Sequence, residues 1–163
     1  MSYPPPLYDG DSGEVSAWVR PAGAEPDLVY PDGNRVSYLA TGESTAGLFG
    51  LYRWDFSGAP SGPGPHFHRT IAESFYILAG EVRVYDGNGW VTATSGDFIH
   101  VPPGGLHGFR NESGAEASML LHFAPGAPRE AYFEGLQRLA GGEEWSHDEL
   151  TAFMVEHDNL WVE

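Results

Sequence analysis

The stretch His66-Phe67-His68-Arg69-Thr70-Ile71-Ala72-Glu73-Ser74-Phe75-Tyr76-Ile77-Leu78-Ala79-Gly80 decides how this chain is read. On an extended strand, side chains at i and i+2 leave the same face, so His66 and His68 point together. Glu73 returns on the next strand after a short turn. A fourth candidate, His107, follows the rigid turn Pro102-Pro103-Gly104-Gly105. Three imidazoles and a carboxylate suit a divalent transition ion, with iron, nickel, manganese and zinc as the leading candidates. Such a set leaves a net charge near +1 and room for water, oxygen or a bidentate substrate, the pattern of a catalytic rather than a closed structural site.

Outward from this segment the chain is punctuated like a β protein. Gly 22 and Pro 13 in 163 residues fit many short strands better than a helical bundle. Strand-like runs cover residues 35–40, 48–56, 75–78, 81–85, 90–94, 98–101, 106–110 and 117–123, separated by AG, DGNG, SGD, PPGG and NESGAE. The pattern then changes. Tyr132, Phe133, Leu136, Leu139 and Ala140 recur at helical spacing over 129–140, ending at Gly141-Gly142. Ser146-His147-Asp148-Glu149 reads as a cap opening a second short helix. The expected organisation is an N-terminal arm of loops and short strands (1–34), a β domain (35–127) and a C-terminal helical extension (128–163), the helices acting as lids or braces.

Composition excludes several classes. Without cysteine there is no disulfide framework, thiol nucleophile or cysteine-ligated metal. All eight basic residues are arginine, which removes lysine-based phosphate loops, Schiff bases and polybasic membrane patches. A net charge of −15 argues against a nucleic-acid partner. No apolar run of spanning length and no leader pattern is visible, so a cytoplasmic, membrane-free protein is expected.

The two glycine-rich segments match a known pattern. HFHRTIAESFYILAG resembles the first cupin motif, and Gly96-Asp97-Phe98-Ile99-His100-Val101-Pro102-Pro103-Gly104-Gly105-Leu106-His107-Gly108-Phe109-Arg110-Asn111 resembles the second. One departure is Pro60 where the first motif has a glycine, with Gly58, Gly62 and Gly64 nearby. The chain resembles the small single-domain bacterial metal-binding cupins similar to quercetin (flavonol) dioxygenases. The resemblance implies an all-β double-stranded β-helix, or jelly-roll barrel, with His66, His68, Glu73 and His107 as metal ligands. It also implies a homodimer.

Strand parity extends the reading. With Glu73 and His107 inward, Phe75, Ile77 and Phe109 form either an apolar substrate wall or ordinary core. Tyr38, Tyr52 and Trp54 are pocket candidates or aromatic core. His100 and His122 are candidates to orient a ligand or shuttle a proton, with a satisfied or solvent-facing histidine as the other reading. Glu73 could double as a base. Three functions follow: a dioxygenase for a flavonol-like aromatic or enolisable small molecule, a redox-neutral isomerase, lyase or polyketide cyclase using the ion as Lewis acid, and a non-enzymatic small-molecule binding barrel.

Overall fold

A computed structural model describes residues 2–162. Its strands are β1 (Leu28–Val29), β2 (Arg35–Ala40), β3 (Gly50–Phe56), β4 (His66–Phe67), β5 (Ala72–Ala79), β6 (Glu81–Tyr85), β7 (Trp90–Thr94), β8 (Phe98–Val101), β9 (Gly108–Arg110), β10 (Ala117–Ala124) and β11 (Leu160–Trp161). Two helices, α1 (Arg129–Ala140) and α2 (His147–Glu156), precede β11. One sheet runs β1-β2-β3-β10-β5-β8, a second β7-β6-β9, and β11 pairs with β4 alone; every pairing is antiparallel.

The two larger sheets share one core. Alternation buries Tyr52, Trp54 and Phe56 on β3, Phe75 and Ile77 on β5, and Met119, Leu121 and Phe123 on β10. Val82 and Val84 of β6, Ala93 of β7 and Phe109 of β9 meet them from the other sheet. Each fully buried aromatic or branched side chain contributes about 1.5–3 kcal/mol, so these two inner faces hold the domain together. The result is a double-stranded β-helix whose sheets remain open. The expected closed barrel is not formed among the described residues. Between β4 and β9, and at the loop before them, the ladder is reduced to the isolated bridges Ser61↔Asn111 and His66↔His107.

Both helices lie where the apolar spacing predicts. Ser146 and Glu149 form a reciprocal capping box on α2. Instead of standing apart, α1 is tied to the sheet edge: the Tyr30 hydroxyl donates to the Phe133 carbonyl, and Gln137 Nε2 donates to the Val29 carbonyl. Residues 2–26 lie almost wholly exposed and contain no strand. The DGNG segment forms the turn between β6 and β7. Only its glycine at 87 takes positive φ, and the Asp86 carboxylate accepts from the Asn88 and Gly89 amides instead. No helix among the described residues is long and apolar enough to cross a membrane.

The proline-glycine loop before β4 has a built anchor. Asn34, buried, donates to Ser61 Oγ and accepts from the Ser57 amide, while Ser61 and Asn111 exchange backbone bonds. Gly62 sits at φ 130°, where a Cβ would lie 2.1 Å from the Phe109 carbonyl oxygen. Gly62→Ala is therefore expected to lower stability by on the order of 1–3 kcal/mol and to weaken metal uptake by displacing His66. Urea denaturation and metal titration of the two proteins measure both effects.

Candidate metal centre and its cavity

His66 and His107 come from the two separate motifs and are joined by backbone bonds in both directions, His66 N to His107 O at 2.7 Å and His107 N to His66 O at 2.9 Å. His68 follows one residue beyond β4, and the Gly104 amide of the PPGG turn donates to its carbonyl. Glu73 lies on β5. All four side chains are buried, and their ligand atoms lie within 4.8 Å of one another.

Each imidazole is oriented from behind. His66 Nδ1–H donates to the Gly64 carbonyl (2.9 Å), His107 Nδ1–H to the Gly105 carbonyl (2.9 Å), and His68 Nδ1–H to the Asp158 carbonyl. A carbonyl only accepts, so each Nδ1 carries the proton and each Nε2 is left for the centre. Asp158 is held in turn at φ 56° by its own carboxylate, which accepts from the Arg69 and Thr70 amides and the Thr70 hydroxyl.

The donors fit a divalent ion. Nε2 of His68 and of His107 lie 3.0 and 2.8 Å from the same Glu73 oxygen. With neutral rings these are lone pairs facing a carboxylate, an arrangement that requires a proton or a cation between them. Two ligands at right angles with bonds of about 2.1 Å are separated by about 3 Å, which is the spacing found. Electrostatics lead the same way. Burial alone would raise the Glu73 carboxyl, but in the metal-free centre a proton shared with His107 and His68 holds it well below the carboxylate range. Burial lowers His107, yet its bond to Glu73 outweighs this and leaves it raised. Burial, aided by the neighbouring His107, pushes His66 down to about 4.

The centre opens into a cavity of about 290 Å³ bounded by Tyr30, Trp54, Phe109, Leu121, Phe123, Tyr132 and Phe133. His66 and Glu73 lie on its wall, as do Arg129 from the start of α1 and Asn159 and Trp161 from the C-terminal segment. The Trp161 ring covers His66, with centroids 5.5 Å apart. Burial raises the Tyr132 phenol to about 12 and raises Tyr30 as well, so both stay protonated at neutral pH.

The structure brings His66, His68, Glu73 and His107 together, and places Trp54 and Phe109 on the cavity wall. Phe75 lies behind the wall, packed on His107 and Phe109, and Ile77 is fully buried in the core. Tyr38 and Tyr52 pack on Phe133, outside the lining. His100 and His122 are not brought to the centre. Ser74 is the register partner of both, and because Glu73 faces inward, Ser74 and its cross-strand neighbours face the opposite side of the sheet. There Ser74 Oγ bonds His100 Nδ1 at 3.0 Å, and His122 stacks on Phe49. His157 packs on Phe153 and Tyr132. Arg129, Tyr132, Phe133, Asn159 and Trp161 were not among the sequence candidates. The helical spacing identified Tyr132 and Phe133 as an apolar face, but nothing local indicates what that face covers.

Two outcomes are expected here. His66→Ala or His107→Ala should lower metal stoichiometry in elemental analysis while the far-UV spectrum stays that of the parent, since the ligands lie at one side of a separate core. In the metal-free protein, the depressed His66 stabilises the fold above the usual imidazole value of 6.5, and this contribution is lost as pH falls toward about 4. The shift at Glu73 acts in the same direction at lower pH, whereas the raised His107 acts oppositely as pH rises above 6.5. Thermal melts in chelator between pH 7 and 4 should show Tm falling, more shallowly in His66→Ala.

The cupin domain family matches residues 54–123. Among solved structures, a predicted oxalate decarboxylase from Thermotoga maritima is 21% identical with a TM-score of 0.59, covering 67% of this chain and 99% of that one. The polyketide cyclase RemF from Streptomyces resistomycificus is 22% identical with a TM-score of 0.55, covering 69% and 81%. KdgF from Halomonas sp. is 16% identical with a TM-score of 0.54, covering 64% and 90%. These likenesses concern the fold. No curated protein matches the chain in sequence. Both motifs lie within the stretch that matches the cupin domain family, and they fold around one buried cluster able to coordinate a divalent metal ion.

Proposed function

We propose that this protein is a metal-dependent cupin enzyme acting on an aromatic or enolisable small molecule, with dioxygenase chemistry of the flavonol-cleaving kind. The observation that carries the reading is the pairing of a three-histidine, one-glutamate set with a mostly apolar cavity open to it from one side. A divalent ion held by these four residues supplies Lewis acidity toward an enolate or phenolate oxygen and, for a redox-active metal, access to dioxygen.

The chain's own residues do the rest. His66, His68 and His107 are fixed in one tautomer by backbone carbonyls, so their orientation does not depend on the ion. Glu73 stays ionised and serves as a ligand; held so far below the carboxylate range, it is a poor base. Trp54, Phe109, Phe123 and Phe133 exclude water and offer faces for a flat substrate. Tyr30 and Tyr132 keep their protons at neutral pH.

One observation favours a second reading. A protonated phenol on the cavity wall, Tyr132, is a suitable donor to an enolate oxygen, which would support a redox-neutral isomerase, lyase or cyclase. Incubating protein loaded with iron, nickel, manganese or zinc with flavonols and other enolisable phenolics, with and without oxygen, separates the two. Oxygen uptake matched to substrate loss is expected. Conversion that proceeds equally without oxygen overturns the dioxygenase reading in favour of the second, and failure to take up any of these metals overturns both.

A further inference from the structure

Arg129 opens α1 and lines the same cavity, and it is only 4% exposed. A buried guanidinium ordinarily has a carboxylate partner, because desolvating a charge is costly. Among the described residues none lies within ion-pair distance. The nearby acids are engaged elsewhere: Glu130 accepts from the Tyr52 hydroxyl, Glu73 faces His68 and His107, and Asp32 accepts from Asn34. Arg129 Nη1 donates to the His157 carbonyl at 2.7 Å, and the guanidinium carbon lies 4.2 Å from the Tyr132 ring and 4.9 Å from the Phe123 ring. Its Nε–H has no acceptor. With Nη1 occupied, the edge formed by Nε and Nη2 remains, and that two-donor fork matches the two oxygens of a carboxylate. Asn159 Oδ1, on the same wall, is a second buried polar atom without a partner.

We infer that the cavity selects a small organic acid, its carboxylate seated on the Nε–Nη2 edge of Arg129 and its apolar body lying toward the histidines. The inference rests on reading this cavity as the substrate site. The Phe123 ring lies 4.9 Å from the guanidinium carbon and 6.4 Å from the His68 ring, which keeps the two anchors within about 11 Å of one another. An aromatic acid can therefore reach both ends. The buried cation offsets its lost solvation with the ligand's charge, and a neutral analogue leaves it without a partner.

Calorimetric titration with 2-naphthoate and its neutral isostere 2-naphthamide tests this, using metal-loaded and chelated protein. The unaltered protein is expected to bind the acid roughly tenfold or more tightly than the amide. That preference should persist after chelation, disappear in Arg129→Gln and survive in part in Arg129→Lys. Equal binding of acid and amide, or no binding of either up to millimolar concentration, overturns the inference without any variant. A preference that survives Arg129→Gln and vanishes on chelation also overturns it, and places the carboxylate on the metal. Arg129-dependent preference in a protein that takes up no metal upholds the anion site while refuting the metal-enzyme reading, so the two failures are distinguishable.

Discussion

Three hydrogen bonds from imidazole Nδ1 to backbone carbonyls govern what this chain can bind. They set the tautomer of His66, His68 and His107 and turn three bare nitrogens toward one buried carboxylate. Much of the surrounding architecture supplies those carbonyls. Gly64 belongs to the proline-glycine loop pinned by Asn34, Ser61 and Asn111. Gly105 belongs to the PPGG turn, which is itself bonded to His68. Asp158 is carried in from the far end of the chain. A rotated ring at any of these positions would aim an N–H at the centre and forfeit a ligand.

Strand parity decides which side chains face the cavity. The β5 strand gives Glu73 to the inner face and Ser74 to the outer, so every cross-strand neighbour is assigned to one side or the other. The sheets line it with Trp54, Phe109, Leu121 and Phe123, and α1 adds Arg129, Tyr132 and Phe133. The C-terminal segment adds Asn159 and Trp161. The cavity is thus made of core aromatics on one side and chain that follows the sheet domain on the other.

Local signals reveal the first part and not the second. Alternation and turn residues place β2, β6, β7 and β8 at their observed bounds, and the apolar spacing places α1. The four-residue set was legible because HxH on an extended segment puts two imidazoles on one face, and the resemblance of both glycine-rich segments to the cupin motifs adds Glu73 and His107. His100 and His122, read either as candidates at the centre or as satisfied or solvent-facing histidines, follow the second reading, because their side of the sheet depends on a register with β5 that no local pattern encodes. β11 is two residues long, too short for any periodicity, and Arg129 carries no local signal beyond its place at the start of the helical stretch. Tyr38 and Tyr52 face inward as their parity requires, but which inward residues touch the cavity is decided by Phe133, at a distant position in the sequence.

The bond from His68 to Asp158 spans 90 residues. Long-range closure of this kind comes late in folding, after local hairpins have formed. His68 is the one imidazole of the three whose orienting carbonyl lies outside the sheet domain, on the segment that follows α2. The geometry of the centre is thereby tied to a segment that lies outside the sheet domain.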